Sequence, residues 1–229
     1  MSRPPWFIDE LAFAGRENLD PKHVARYDEK EDAGAAEEVA LLRRHGLSGD
    51  SVLVEFGPGT GQFTVEVAPV CAHVVAVDVS PVMLRALREK LDGHPRVELV
   101  QAGFLTYEHA GAPADVAYSR LALHHLPDFW KAVALERIRR ILRPGGIFRL
   151  VDVAYDFGPG EAEKRLGAWC AEYGEGADGT WGRGDVEEHI RDEHSTFTWL
   201  LEPMLERAGF VVENAERSGV MSAYVLRAA

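Results

Sequence analysis

Between residues 51 and 155, short runs of apolar residues alternate with stretches in which apolar positions recur every three or four residues. Apolar runs of this length are typical of buried strands, and the recurring positions are typical of amphipathic helices. Strands are predicted at 51–56, 73–79, 96–103, the start of 115–123, and 146–155. Because strands that alternate with helices form βαβ units, the pattern predicts a doubly wound α/β fold with a mostly parallel sheet.

The two ends of the chain add to this core. Beyond residue 197, a predicted helix ends at Gly209, and the runs 210–216 and 220–228 flank a short turn. These two runs predict an antiparallel hairpin at one edge, so we expect a seven-stranded, Rossmann-like sheet. Residues 1–47 are predicted to form a helical N-terminal cap, in which Asp20-Pro21 is a typical helix start.

The alternation stops at residues 155–197, which hold eleven acidic residues against four Lys or Arg. We expect this stretch to be irregular and to form an insertion or lid on the substrate side. The predicted division is a cap at 1–47, an α/β core that carries the ligand site at 48–154, the insertion at 155–197, and a closing helix and hairpin at 198–229.

The composition, 46% hydrophobic and 27% charged, is that of a soluble globular protein. A net charge of −12 excludes a non-specific nucleic-acid binder, which needs a basic surface. No run approaches the roughly 20 apolar residues of a membrane-spanning helix, and the first residues do not resemble a secretory signal. Cys71 and Cys170 make neither a disulfide framework nor a zinc-ligand set. We therefore predict a cytoplasmic protein with a small-molecule partner and no metal, nucleic-acid or membrane partner.

The loop after the first strand reads VEFGPGTGQF and carries glycines at alternate positions, Gly57, Gly59 and Gly61. A dinucleotide fold needs G-x-G-x-x-G, and Gln62 stands where the third glycine would be. Glu55 would also repel a pyrophosphate, so the loop is a poor phosphate cradle. A carboxylate suits a cation instead, and bare glycine backbone lets an unphosphorylated nucleoside lie close.

Asp78 stands at the end of the second predicted strand, at the edge where parallel sheets bind their ligands. Its carboxylate is placed to accept hydrogen bonds from both hydroxyls of a ribose. A cationic group and a ribose on one molecule describe S-adenosylmethionine. The alternative is a tight turn that binds no ligand.

Four motifs in this order resemble the class I S-adenosylmethionine-dependent methyltransferases. They are VLVEFGPGTGQFT, VVAVDVS, DVAYSRLALHHLPD and LRPGGIFRLVDV, within about residues 45–153. The LHHLPD and LRPGG strings most resemble the branch that includes ubiquinone and menaquinone C-methyltransferases. The resemblance implies S-adenosylmethionine as the methyl donor and a small molecule as the acceptor.

The resemblance also implies which positions hold the cofactor. Where such enzymes often carry Gly-Asp after the third strand, this chain has Gly103-Phe104, so only the backbone N–H of Phe104 is expected to meet the adenine. The other implied positions are Glu55, Gly57 and Gly59 at the methionine end, Gly61 at the start of the next helix, Asp78 at the ribose, Val79 and Met83 beside the adenine, Ser119 by its backbone, and Tyr27 closing over the methionine end.

His124 and His125 follow the fourth strand, close to where a substrate is expected to bind. With an ordinary pKa near ~6.5, either is a candidate general base if the acceptor must lose a proton. The alternative is that one packs in the core and the other hydrogen-bonds a carbonyl.

Two further sets of residues have two interpretations each. His189 and His194 lie among acidic residues, which indicates either a metal site or a solvated acidic helix, and the spacing favours the helix. A set of aromatic residues either lines a substrate pocket or packs the lid: Trp169, Tyr173, Trp181, Phe197 and Trp199.

Together these features predict a methyltransferase that aligns a small-molecule acceptor with the methyl group of S-adenosylmethionine. The alternatives are a nicotinamide-dependent oxidoreductase and a non-catalytic S-adenosylmethionine-binding sensor or partner subunit. The acceptor atom and the oligomeric state stay open at this point.

Overall fold

The structure, a computed structural model, describes residues 4–15, 18–30, 34–175 and 181–229. The rest of the predicted cap and of the predicted insertion lies outside these described residues. The strands are β1 (Val52–Phe56), β2 (His73–Asp78), β3 (Val97–Gln101), β4 (Ala114–Arg120), β5 (Leu142–Tyr155), β6 (Thr196–Phe197), β7 (Phe210–Arg217) and β8 (Met221–Ala228). The helices are α1 (Pro21–Val24), α2 (Tyr27–Lys30), α3 (Ala35–His45), α4 (Gln62–Val67), α5 (Pro81–Leu91), α6 (Asp128–Ile141), α7 (Ala162–Glu172), α8 (Arg183–Asp192) and α9 (Thr198–Arg207).

The strands form one sheet in the order β3-β2-β1-β4-β5-β8-β7, and the two-residue strand β6 pairs with β5. Strands β1 to β5 run parallel, whereas β8 is antiparallel to both β5 and β7. The predicted Rossmann-like class, the seven predicted strands and the terminal hairpin are therefore confirmed. Among the described residues, the sheet gains one strand that was not predicted, the two-residue β6.

Each central strand is apolar on both sides because both faces of the sheet are covered. Consecutive side chains of a strand point to opposite faces. Leu53, Val74 and Val116 accordingly belong to one buried cluster, and their neighbours Val54, Val75 and Ala117 belong to the other. This explains why the strands read as continuous apolar runs instead of alternating ones.

The strand order reverses between β1 and β4, and this reversal positions the ligand site. In the register of the sheet, Phe56 at the end of β1 lies opposite Val77 of β2 and Ser119 of β4. The carboxyl ends of these three strands therefore meet at one edge. In open α/β sheets a crevice at such a reversal is where ligands bind.

The expectation that residues 155–197 are irregular is wrong for the part that the structure describes, because this stretch contains α7 and α8. Gly167 lies within α7 and Gly184 lies in the first turn of α8, and neither interrupts its helix. Gly182 caps α8, and its backbone N–H donates to Asp185 Oδ2 at 2.8 Å. The division into cap, core and insertion stays a prediction.

Candidate active site

A cleft, here called the strand-end cleft, opens at the reversal point between β1 and β4. It brings together residues from the end of β2, the start of α5, the segment after β3, and the N-terminal part of the chain. Predicted site residues that line it are Tyr27, Gly57, Gly59, Asp78, Val79, Met83, Gly103, Phe104 and His125. Glu55 lines an adjoining pocket that shares Tyr27, Gly57 and Gly59 with the cleft.

The three loop glycines all adopt left-handed backbone conformations, with φ of 71° at Gly57, 56° at Gly59 and 89° at Gly61. A Cβ at Gly57 would lie 2.5 Å from the Ala122 Cβ, and one at Gly61 would lie 2.0 Å from Leu87 Cδ1. Gly59 has its nearest neighbour at 3.8 Å, in the Tyr27 ring. At position 59 the left-handed backbone alone explains the glycine, whereas at positions 57 and 61 close packing also leaves no room for a side chain.

Asp78 is buried at the end of β2, and burial raises its pKa to about 6. Its carboxylate accepts hydrogen bonds from the backbone N–H of Gly59 at 3.2 Å and of Ser80 at 2.8 Å. An ionised carboxylate has about four acceptor sites. The backbone N–H of Val79 also lowers the pKa of Asp78 as a hydrogen-bond donor, and acceptor capacity remains for a hydroxyl group of a ligand.

Glu55 is fully buried beside the glycine loop, where its Oε2 accepts a hydrogen bond from Thr64 Oγ1 at 2.6 Å. Burial, with a smaller contribution from repulsion by Asp78, raises the pKa of Glu55 to about 8. A cation nearby would stabilise the ionised carboxylate. The loop is therefore suited to a positively charged ligand.

The N-terminal part of the chain is bound to this loop through Asp28, a residue that sequence reasoning missed. Its carboxylate accepts hydrogen bonds from Thr60 Oγ1, from Gln62 Nε2 at 3.2 Å, and from Lys90. These contacts hold the adjacent Tyr27 over Gly59. An acid next to a tyrosine is too common in sequences to have signalled this role.

His124 is not among the residues that line the strand-end cleft, so the geometry does not favour the general-base role expected for it, and that role stays a prediction. Its Nδ1 lies 2.5 Å from Asp152 Oδ1, and its Nε2 lies 2.8 Å from Glu193 Oε2. Burial alone would lower the pKa of His124, but the two carboxylates raise it to about 10. The imidazole is therefore already protonated at neutral pH and holds β5 and the segment after α8 together.

His125 lines the cleft, but its pKa is lowered to about 3 by burial and by the neighbouring charge of His124. It stays neutral at neutral pH and holds a proton poorly. This low pKa does not favour His125 as a general base, and its role stays a prediction.

Donor atoms of His124, His125 and Glu193 lie within 4.8 Å of one another, close enough to bind one ion. Two of the three, His124 and Glu193, are already joined as an ion pair. The expectation of no metal stays a prediction.

Two of the predicted cofactor residues do not line the cleft. Ser119 is buried, and neither it nor Gly61 is among the lining residues.

A second cavity, here called the acidic cavity, adjoins the cleft, and Tyr27 and His125 line both. Among the described residues that line it there are four carboxylates, four imidazoles and no Lys or Arg. The carboxylates are Asp185, Glu188, Asp192 and Glu193, the histidines are His23, His125, His189 and His194, and the aromatic residues are Phe13, Tyr27 and Trp181.

Helix α8 is less solvated than expected. His189 is buried, with Nδ1 2.6 Å from Glu193 Oε2 and Nε2 2.9 Å from Ser195 Oγ. Of the aromatic residues predicted for a pocket or a lid, Trp181 lines the acidic cavity. Trp169 contacts the His189 ring, and Phe197 stacks on the half-exposed Trp199. Both interpretations of the aromatic set therefore hold in part.

Residues 53–146 match the family model of a methyltransferase domain. An uncharacterized methyltransferase of Geobacillus kaustophilus is 31% identical over 150 residues, which are 62% of this chain and 69% of that relative. The chain belongs to the S-adenosylmethionine-dependent methyltransferases. The enzyme is also 38% identical over 103 residues to the uncharacterized methyltransferase YrrT of Bacillus subtilis, a match that spans 45% of the enzyme and 46% of YrrT.

A solved structure shares the fold of the enzyme. It is an N-methyltransferase of Haemonchus contortus, in complex with phosphomonomethylethanolamine and S-adenosylhomocysteine, with a TM-score of 0.69 at 20% identity. The match covers 92% of the enzyme and 47% of that chain. S-adenosylmethionine is the cofactor, and the oxidoreductase and non-catalytic alternatives are not favoured. No helix in the described ranges is long and apolar enough to cross a membrane.

The residues of the strand-end cleft fit this cofactor. Asp78 keeps acceptor capacity for a ribose, and the bare backbone of Gly57 and Gly59 permits close approach. Glu55 offers a buried carboxylate to a cationic group. Of the features of this site, sequence reasoning indicated the glycines, both acids and Tyr27, but not Asp28, which bonds the N-terminal region to the loop.

Proposed function

We propose that the enzyme methylates a small-molecule amine that binds in the acidic cavity. The observation that carries this proposal is the direct adjacency of the two spaces, because Tyr27 and His125 line both. A donor held by Glu55, Gly57, Gly59 and Asp78 would lie within reach of an acceptor in the neighbouring cavity.

The charge of the acidic cavity supports a cationic acceptor. Asp192 is paired with Arg191 at 2.5 Å, and Glu193 with His124 and His189, so their charges are partly offset. Asp185 and Glu188 remain on the wall, and no described lining residue brings a Lys or Arg. Carboxylate-lined cavities concentrate cations, and an aromatic face such as that of Trp181 attracts them further.

S-adenosylmethionine supplies a methyl group that is already activated by a positively charged sulfur. The enzyme's own contribution is alignment, which reaches effective molarities of roughly 10⁵ M or more in well-oriented reactions. An amine arrives protonated and must lose that proton to become a nucleophile. The carboxylates of Asp185 and Glu188 line the cavity and would attract the ammonium form, which gives its proton to water before transfer, whereas His125 would orient the free amine by a hydrogen bond.

The Haemonchus neighbour, an N-methyltransferase solved with a phosphorylated methylated amine, acts on the same kind of nitrogen. At 20% identity its substrate does not transfer to this chain, and the proposal depends on the cavity alone. The resemblance to ubiquinone and menaquinone C-methyltransferases and the cytoplasmic location stay predictions.

The test measures formation of S-adenosylhomocysteine with acceptors of similar size: a primary amine, a secondary amine, a phenol, a carboxylic acid and a quinol. We expect turnover of the amines. Glu188→Gln should raise KM for them about fivefold with kcat little changed, because it removes one attractive contact between an exposed carboxylate and the cationic acceptor. Glu187→Gln is the matched control, because Glu187 lies on the same helix but pairs with Arg183 at 2.7 Å. Faster turnover of the acid or the quinol would contradict the proposal.

A further inference from the structure

Three histidines and one glutamate meet at the wall of the acidic cavity, where the turn after β4 lies against the end of α8. Two of the imidazoles are held from outside through one ring nitrogen. Asp152 Oδ1 lies 2.5 Å from Nδ1 of His124. Ser195 Oγ likewise lies 2.9 Å from Nε2 of His189. The inner nitrogens, Nε2 of His124 and Nδ1 of His189, lie 2.8 Å and 2.6 Å from the same Glu193 Oε2.

The contacts inside this group are close but poorly directed. Glu193 Oε2 is buried, and within the described ranges no hydrogen bond of good geometry reaches it, despite the two ring nitrogens beside it. Nδ1 of His125 is also buried without a hydrogen-bond partner in the described part of the chain, while its Nε2 lies 3.5 Å from Asn18 Nδ2. A buried polar atom without a partner is costly. A cation between these atoms would satisfy both of them.

The outer contacts of this group are typical of a metal site. A histidine that ligates a metal usually gives its other ring N–H to a carboxylate or a carbonyl, which fixes the ring and leaves the inner nitrogen as a ligand. Asp152 makes this contact with His124. Donor atoms of His124, His125 and Glu193 lie within 4.8 Å of one another. A tetrahedral Zn²⁺ ion holds its ligands about 3.4 Å apart, so side-chain shifts of about 1 Å would bring all three onto one ion.

We propose that His124 Nε2, Glu193 and a ring nitrogen of His125 bind a divalent transition-metal ion of the Zn²⁺ type. Two imidazoles and one carboxylate are a ligand set that suits Zn²⁺, whereas Mg²⁺ and Ca²⁺ prefer oxygen ligands alone. Three protein ligands leave a coordination position open, and since His125 and Glu193 line the acidic cavity, that position faces it. Sequence spacing could not predict this site, because its ligands come from two segments that are far apart in the chain.

The ion takes the place of the proton on His124 Nε2, because that nitrogen holds only one of the two, and the proton passes to solvent. Without the ion, the enzyme keeps the charged network of His124, Asp152 and Glu193. With it, direct bonds join the turn after β4 to the residue after α8. One ring nitrogen of His125 stays available to an acceptor, and the metal site does not depend on what that acceptor is.

The test is calorimetric titration of the chelator-treated protein with Zn²⁺ alone, in the absence of cofactor and acceptor. We expect one site per chain with micromolar or tighter affinity, and no heat from Mg²⁺ at the same concentrations. Zn²⁺ in large excess over its dissociation constant should also raise the melting temperature by several degrees, because it binds only the folded protein. Comparable binding of Mg²⁺, or no binding of Zn²⁺, would overturn the proposal.

His125→Ala is the main variant, because it removes one ligand and leaves the ion pairs of His124 in place. We expect the affinity for Zn²⁺ to fall about a hundredfold, and Asp152→Asn, which changes only the outer support of His124, to lower it about tenfold. His73→Gln is the matched control, since His73 pairs with Glu98 at 3.5 Å on the exposed surface and should leave the affinity unchanged. Equal affinity in the wild type and His125→Ala would indicate an adventitious ion only, which overturns the proposal.

The wild-type protein loaded with Co²⁺ gives a second readout that needs no variant and therefore decides the question even if the variants do not fold. Co²⁺ bound by imidazole and carboxylate ligands in a site with few ligands should absorb visible light several times more strongly than the hydrated ion, whose six waters form a symmetric octahedron. The unchanged spectrum of hydrated Co²⁺ would overturn the proposal.

Discussion

The strand-end cleft and the acidic cavity adjoin each other, yet they are built in different ways. The residues predicted to bind the cofactor in and beside the cleft come from neighbouring short segments, since β1, its glycine loop and the end of β2 bring Glu55, Gly57, Gly59 and Asp78 together, while N-terminal residues complete the wall. The acidic cavity draws on the N-terminal region, the turn after β4 and helix α8, which are far apart in the chain. Local backbone geometry therefore shapes one site, and long-range contacts shape the other.

A buried charge network holds the second site together. Asp152 on β5, His124 after β4, and Glu193 after α8 form a row of alternating charge, and His189 closes it on α8. The strand-end cleft depends instead on positive φ values and on tight packing at its glycines. Loss of a buried charge should consequently disrupt the acidic cavity, whereas a side chain added at a glycine should disrupt the strand-end cleft.

The largest expected effect is at the charge network. His124→Gln should lower the free energy of unfolding by about 3–5 kcal/mol, because it leaves two buried carboxylates without their shared cation. Chemical denaturation measures this change. His73→Gln is the control, since His73 pairs with Glu98 at 3.5 Å on the exposed surface and should cost less than about 1 kcal/mol. A small loss at His124 would mean that the acidic cavity does not depend on this network.

The same network predicts how stability depends on pH. The pKa of His124 is raised to about 10 in the folded protein, well above its ordinary value, so protonation favours folding. This contribution is fully present below about pH 6.5 and is lost as the pH rises through about 10. Unfolding measured from pH 6.5 to 10 should show a decline in the wild-type protein that is largely absent in His124→Gln. Parallel curves for the two proteins would contradict the assignment.

An intermediate effect is expected at the glycine loop. Gly61→Ala should destabilise the protein by about 2 kcal/mol or more, because it combines a positive φ with a Cβ 2.0 Å from Leu87 Cδ1. Gly93→Ala is the matched control, with φ of 72° and no atom within 4 Å of its Cβ. The difference between the two isolates packing from backbone strain. Equal losses of unfolding free energy would show that Leu87 moves aside without cost.

The smallest effect should come from the contact between the N-terminal region and the loop. Asp28→Asn weakens the bonds to Thr60, Gln62 and Lys90, which are partly exposed and worth about 1 kcal/mol together. We expect S-adenosylhomocysteine to dissociate a few-fold faster in stopped-flow measurements, with nearly unchanged melting of the free protein. A dissociation rate equal to that of the wild type would mean that Tyr27 is held over Gly59 by other contacts.

The residues that sequence reasoning found and those that it missed follow the same division. Gly57, Gly59 and Asp78 were predicted because a strand, a turn and a helix start are encoded within a few residues. The ion pairs of His124 were not predicted, because nothing near it in the sequence indicates Asp152 or Glu193 as its partners. Asp28 was missed because an acid in a polar N-terminal region is indistinguishable from a solvated one.

By itself, the sequence determined the α/β class and the order of the strands along the chain, and it predicted the cofactor loop and the ribose acid, since these depend on periodicity and on short motifs with local geometry. Only the tertiary structure decided which histidine is charged, that Glu193 meets His124 and His125, and that an acidic cavity adjoins the cleft. Those outcomes depend on burial and on contacts between segments that lie 28 or more residues apart. Burial and such contacts set the charge and the role of a side chain, and neither leaves a pattern in the local sequence.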